Sequence, residues 1–123
     1  MKKLFIIITA LIFLCSCKSE LRKKMELNLP KNCSENLSKV CNTFLEDCLT
    51  SFNYFSITTD NNKAEKQMES FKKNHPQNYM LRLQPEVLIE NNITDSSEIN
   101  VYKKFVESSM AEYFKATADK MAK

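Results

Sequence analysis

Not one of the 123 residues is glycine, and that absence narrows the fold more than any residue present. Tight β-hairpins and phosphate-cradling loops draw on glycine for positive φ, so a hairpin-rich β fold and a glycine-rich nucleotide loop are both disfavoured. Helices make no such demand. The strongest helical signal lies at residues 34–57, where Leu37, Val40, Cys41, Phe44, Leu45, Cys48, Leu49 and Phe52 recur at spacings of three and four. Such spacing puts them on one stripe and leaves Glu35, Lys39, Asn42, Glu46 and Asp47 facing water. Asn32 or Ser34 is placed to cap the first turn.

Polar residues 58–62 end that helix, and Asn62 with Glu65 three residues on forms a capping-box pattern for a second. Its inner face holds only Ala64, Met68 and Phe71, and Pro76 ends it near His75. Pro85 suits the first turn of a short helix to about Asn91. Asp95 with Glu98 opens a last helix over Ser96–Met121. Ile99, Tyr102, Phe105, Val106, Met110, Tyr113, Phe114, Thr117 and Met121 are expected on its buried side. The expectation is an all-α fold, a small antiparallel bundle of about four helices over residues 34–123.

Lys2 and Lys3 precede an apolar run, Leu4 to Leu14, that ends in Leu14-Cys15-Ser16-Cys17. A basic start, an apolar middle of about 7 to 15 residues and small residues at the cut describe a secretory signal. The run is short of the roughly 20 residues that a spanning helix needs. Leu14 three residues before Cys17, with Ser16 directly before it, is the pattern of a bacterial lipoprotein signal. Residues 1–16 are thus expected to be removed and Cys17 to carry covalent lipid, the one cofactor-like group implied. Residues 17–33, with Lys18, Arg22, Lys23, Lys24 and Lys31 among few apolar residues, read as a polar tether. Its basic side chains either touch anionic headgroups or are merely solvated. Lys18 stands where an Asp would retain a lipoprotein at the inner membrane of enteric bacteria, so the outer membrane is the expected address in a two-membrane host. Loss of Lys2 and Lys3 lowers the formal net charge from +3 to +1, which argues against nucleic acid as a partner.

Cys33, Cys41 and Cys48 remain, an odd number for an exported chain. Cys41 and Cys48 share a helical face but lie too far apart along it to bridge. Three arrangements stay open: buried free thiols, a Cys33–Cys41 disulfide if the helix starts near Leu37, and an intermolecular bond through Cys33. No short Cys-x-x-Cys spacing supports a metal site. His75, the only histidine, is expected at a helix terminus, and no catalytic residue is assigned. Asn32-Cys33-Ser34, Asn36-Leu37-Ser38 and Asn92-Ile93-Thr94 match the N-glycosylation pattern and matter only to a rival reading as a eukaryotic secreted helical protein.

The segment Phe71-Lys72-Lys73-Asn74-His75-Pro76-Gln77-Asn78-Tyr79-Met80, followed by a last helix opening Ile99-Asn100-Val101-Tyr102, resembles the invasion lipoprotein family of type III secretion pilotins. Asn78 stands as an insertion between Gln77 and Tyr79. The resemblance implies a non-enzymatic lipoprotein that binds the C-terminal helix of an outer-membrane secretin and delivers it to that membrane. A partner helix needs an apolar groove, and Phe71, Tyr79, Met80 and Leu83 are the residues expected to line it. The alternative is a structural or exclusion-type surface lipoprotein with no peptide groove.

Overall fold

The computed structural model describes residues 19–122, so Leu14, Ser16 and Cys17 of the expected cleavage site lie outside the described residues. Those residues form α1 (Glu20–Leu27), α2 (Glu35–Tyr54), α3 (Asn61–Asn74), a 3-10 turn (Tyr79–Leu81), α4 (Gln84–Glu90) and α5 (Ser96–Ala122). No strand occurs among them, and the fold is all-α.

Polar caps set the helix starts. Ser34 Oγ accepts the Leu37 N–H at 3.2 Å and opens α2. At α3 the cap is Asp60, whose Oδ1 accepts the Asn62 and Lys63 N–H groups; the expected capping residue, Asn62, sits inside the helix. Asp95 Oδ1 accepts the Ser97 N–H at 2.7 Å at the head of α5. Asparagine fills the left-handed positions that glycine would otherwise take: Asn32 has φ 54° and Asn92 φ 59°. At Asn92 the chain leaves α4 with the Ile93 N–H donating to Leu88 O and the Asn92 N–H to Ile89 O. This Schellman closure turns Ile93 into the core.

The α2 stripe is the centre of the core. Leu37, Val40, Cys41, Phe44, Leu45, Cys48 and Leu49 are all buried, with Phe52 half-buried at the end. Phe44 meets Tyr102 and Phe105 of α5 edge-on at 6.3 and 6.2 Å between ring centroids. Further along, Phe52 meets Tyr113 at 5.9 Å, and Lys120 donates to Phe52 O and Phe55 O. Contacts that advance together on both helices mean that α2 and α5 run parallel, which corrects the antiparallel arrangement expected for the two longest helices. The physical reason is the return path. Gln67 bonds Ser56, Ser70 bonds Tyr54 and Tyr79 reaches back to Asp47, so α3 and the turn after it carry the chain back along α2 before α5 begins.

A second correction concerns the expected tether. Residues 20–27 form a helix capped by Ser19, with Leu21 and Met25 buried in the core. Isolated helices below about 12–15 residues are marginal in water, so packing must hold α1. Arg22 also donates both guanidinium N–H groups to the two Glu46 oxygens at 2.6 and 2.9 Å. That pair is substantially exposed and contributes only about 0.2–1 kcal/mol, whereas burying a Leu or Met side chain contributes about 1.5–3 kcal/mol. The apolar contacts win. Two residues expected on the buried side of α5 lie outside: Phe114 is 63% and Met121 65% exposed.

Met25→Ala is predicted to cost about 2–5 kcal/mol and Arg22→Ala no more than about 1 kcal/mol, read by urea unfolding followed at 222 nm. A free tether would leave both variants at the parent's midpoint.

Candidate functional site

Thr43, Asp47 and Thr50 follow one another at spacings of four and three on the flank of α2, beside its apolar stripe. Across from them runs the chain from Asn74 to Tyr79, and the two enclose an open cleft of about 510 Å³. Hydroxyl, amide, imidazole and carboxylate groups stand in its walls, while apolar atoms make up most of the lining surface.

Asp47 and Asn78 hold the cleft shut at its base. The Tyr79 N–H donates to Asp47 Oδ2 at 2.7 Å, and Asn78 Nδ2 donates to the Asp47 carbonyl at 3.2 Å. Asn78 Oδ1 then accepts the Met80 N–H at 2.9 Å and starts the 3-10 turn. Asn78 is buried, so the residue that interrupts the family pattern is the one on which this turn depends. Burial pushes the Asp47 carboxyl above its ordinary range, against the pull of the Tyr79 N–H and of His75. The expectation of ordinary surface charge is thereby corrected for Asp47, which clamps the turn. Glu46 stays exposed, as expected, and pairs with Arg22.

His75 occupies the C-terminal cap of α3, its N–H donating to Phe71 O at 2.8 Å. Its ring lies against Phe71 and Tyr54 at 5.1 and 5.8 Å. Phe71 is 1% exposed and closes an aromatic cluster with Tyr54 and Phe55. Tyr79 and Met80 pack half-buried on the main core, and Leu83 is 69% exposed. Phe71 is therefore withdrawn from any surface groove, while Tyr79, Met80 and Leu83 keep part or most of their surface exposed. Phe71 is spent on fastening α3, whose other inner residues, Ala64 and Met68, are exposed. An inner face with one large side chain cannot both dock a helix and offer a groove.

The cysteines also resolve. Cys33, Cys41 and Cys48 are free thiols, so the Cys33–Cys41 bridge is not formed. Helix α2 begins at Glu35, which leaves Cys41 about 10 Å along the axis from its cap, beyond the roughly 7 Å that a disulfide spans. Burial pushes the Cys41 and Cys48 thiols up to about 12, so both stay protonated and inert near neutral pH. No group of three or more His, Cys, Asp or Glu side chains among the described residues converges to hold a metal ion. The polar ties missed in the sequence join residues some 30 positions apart; only the Asn78-x-Met80 spacing of an Asx turn hints at them.

Comparison with known proteins places no relative beside this geometry: no family model, no curated protein and no solved structure matches the chain.

Two outcomes are expected. Asp47→Asn, which removes charge but keeps an acceptor, holds or raises stability at neutral pH, since a carboxyl with a raised folded-state pKa disfavours folding once ionised. Asp47→Ala orphans the Tyr79 N–H and costs about 1–3 kcal/mol, both read as shifts in unfolding midpoint. Separately, Ellman's reagent at pH 8 should modify Cys33 in the native protein and reach Cys41 and Cys48 only in denaturant. Rapid native reaction at all three would contradict the packing.

Proposed function

We propose that this chain is a bacterial lipoprotein, lipid-anchored through Cys17, whose helical domain docks another protein of the cell envelope and performs no catalysis. The leader carries the first half of that reading: a basic start, an apolar run too short to span, and Leu14-x-Ser16-Cys17. The described residues contain no helix long and apolar enough to cross a membrane, which suits attachment from outside the bilayer. The cleft of about 510 Å³ carries the second half. It falls within the roughly 300–1,000 Å³ of ligand pockets, and its hydrogen-bonding groups, set in a largely apolar lining, suit an extended segment of a partner.

The secretin-pilotin version is the sharpest form of this proposal, with an outer-membrane address. It needs a different docking mode from the apolar groove expected of it, because Phe71 is buried. The partner segment would lie along α2 between Thr43 and Thr50 instead. A structural surface lipoprotein without a docking site is the rival. The ordered wall that Asp47 and Asn78 hold in place favours docking over that rival.

Metabolic labelling with a clickable palmitate tests the anchor: Cys17→Ala should abolish incorporation, and equal labelling of parent and variant would remove the lipoprotein reading. For docking, a photo-crosslinking residue at Gln77 should give one discrete adduct in intact cells, which Thr50→Arg suppresses without unfolding the domain. An adduct that persists at full yield in the Thr50→Arg background would sink the cleft as the docking site.

A further inference from the structure

Over its last three turns α5 is apolar on the side turned away from the core as well as on the side that packs. Tyr113 and Ala116 pack against the core, whereas Ala111, Phe114, Ala118 and Met121, at spacings of three, four and three, are all exposed. That spacing lines them up on one outer face, on which Phe114 and Met121 leave most of their surface in the open. Glu107, one turn before Ala111, closes the face at one end, and Lys115 and Asp119 border it with cancelling charges. Single exposed apolar side chains are ordinary. A contiguous set along three turns of helix marks a surface that something covers. Its place in the fold narrows what that is. Ser19, the first described residue, shares one pocket with Asp119 and Lys120 in the last turns of α5. Residues 1–18, with the apolar run Leu4 to Leu14 and with Cys17, thus join the domain at this end of α5.

We propose that the face formed by Ala111, Phe114, Ala118 and Met121 lies in the headgroup–acyl boundary of the bilayer, so that the C-terminal turns of α5 touch the membrane directly. Interfacial helices sink an apolar face about 5–10 Å into that boundary. A second copy of the chain is a poorer occupant. Two large and two small side chains on about 15 Å of helix fall short of the roughly 800 Å² per partner that a stable interface buries. Because Lys115 and Asp119 cancel, apolar burial drives the contact and no anionic lipid is needed. The inference rests on attachment of the chain near residue 17, the anchor proposed above, and adds the face that the domain turns to the lipid.

The chain contains no tryptophan, so Phe114→Trp installs a single fluorescent reporter on the face. Leu83→Trp is the control, because Leu83 is also exposed and its neighbour Gln84 bonds Tyr102 near the start of α5, far from the C-terminal turns. Each full chain is reconstituted into phosphatidylcholine vesicles brominated high on the acyl chains, and quenching is read on the vesicle-bound protein. Contact within the boundary should cut the emission at position 114 at least about twofold and leave that at position 83 unchanged. Adding Ala118→Glu to Phe114→Trp puts a charge in the face and should restore most of the emission, with the helical circular dichroism unchanged. Palmitate labelling and quenching separate the two readings. An unlabelled chain still quenched at position 114 loses the lipid on Cys17 and keeps the face, whereas a labelled chain with no quenching there keeps the anchor and overturns the face. Cover by a second copy or by residues 4–14 would leave position 114 unquenched, and equal quenching at positions 114 and 83 would overturn the proposal as well.

Discussion

Burial of the apolar stripe of α2 against Tyr102 and Phe105 of α5 is the interaction on which every other element depends. Each fully buried Leu, Val or Phe contributes about 1.5–3 kcal/mol, and the edge-on aromatic pairs at Phe44 add about 0.5–1.5 kcal/mol each. With α2 fixed, its flanks become a rigid frame. Glu46 receives Arg22 from α1, Asp47 receives Tyr79 from the 3-10 turn, and Tyr54 receives Ser70 from α3. One helix thus places all its neighbours, the long one by packing and the short ones by buried apolar side chains that side-chain bonds orient.

The parallel course of α2 and α5 follows from that hierarchy. A 20-residue helix spans about 30 Å, and the chain must retrace much of that length before α5 can start beside the beginning of α2. Helix α3 and the 3-10 turn make the return without a large apolar face of their own. Phe71 supplies the single deep anchor, and the Asp47–Tyr79 bond finishes the job. The cleft is a by-product of this economy, since a return strand held by one aromatic cluster at one end and two polar bonds at the other leaves space between.

How much of this was legible depends on the range of the interaction. The α2 stripe shows as a simple period because all eight residues face one partner surface, and the Ser34 and Asp95 caps show because they act within three residues. Helix α1 was hidden. Its whole buried face is Leu21 and Met25, one turn apart amid Arg22, Lys23 and Lys24, a composition that equally describes a solvated linker. The stripe of α5 was drawn too wide because Tyr113 and Phe114 are equivalent by composition, yet Tyr113 faces Ser51 and Phe52 while Phe114 faces outward. Asp47 and Asn78 are unreadable for another reason: their roles arise only when elements distant in sequence meet.

Recognising α1 as part of the domain changes what an anchor at Cys17 would mean. Cys17 stands two positions before the α1 cap at Ser19, and two extended steps reach about 7 Å, so the lipid would hold the domain against the bilayer rather than at a distance. The end pressed to the membrane would be the one where α1 starts and α2 and α5 finish. Helix C-termini carry partial negative charge and would be repelled by anionic lipid. Lys120, bonded to the carbonyls at the end of α2, offsets that charge at the surface concerned. With such an anchor, a basic residue that caps a helix would also permit its approach to the membrane, and the cleft along Thr43 to Thr50 would be left open on the flank of α2.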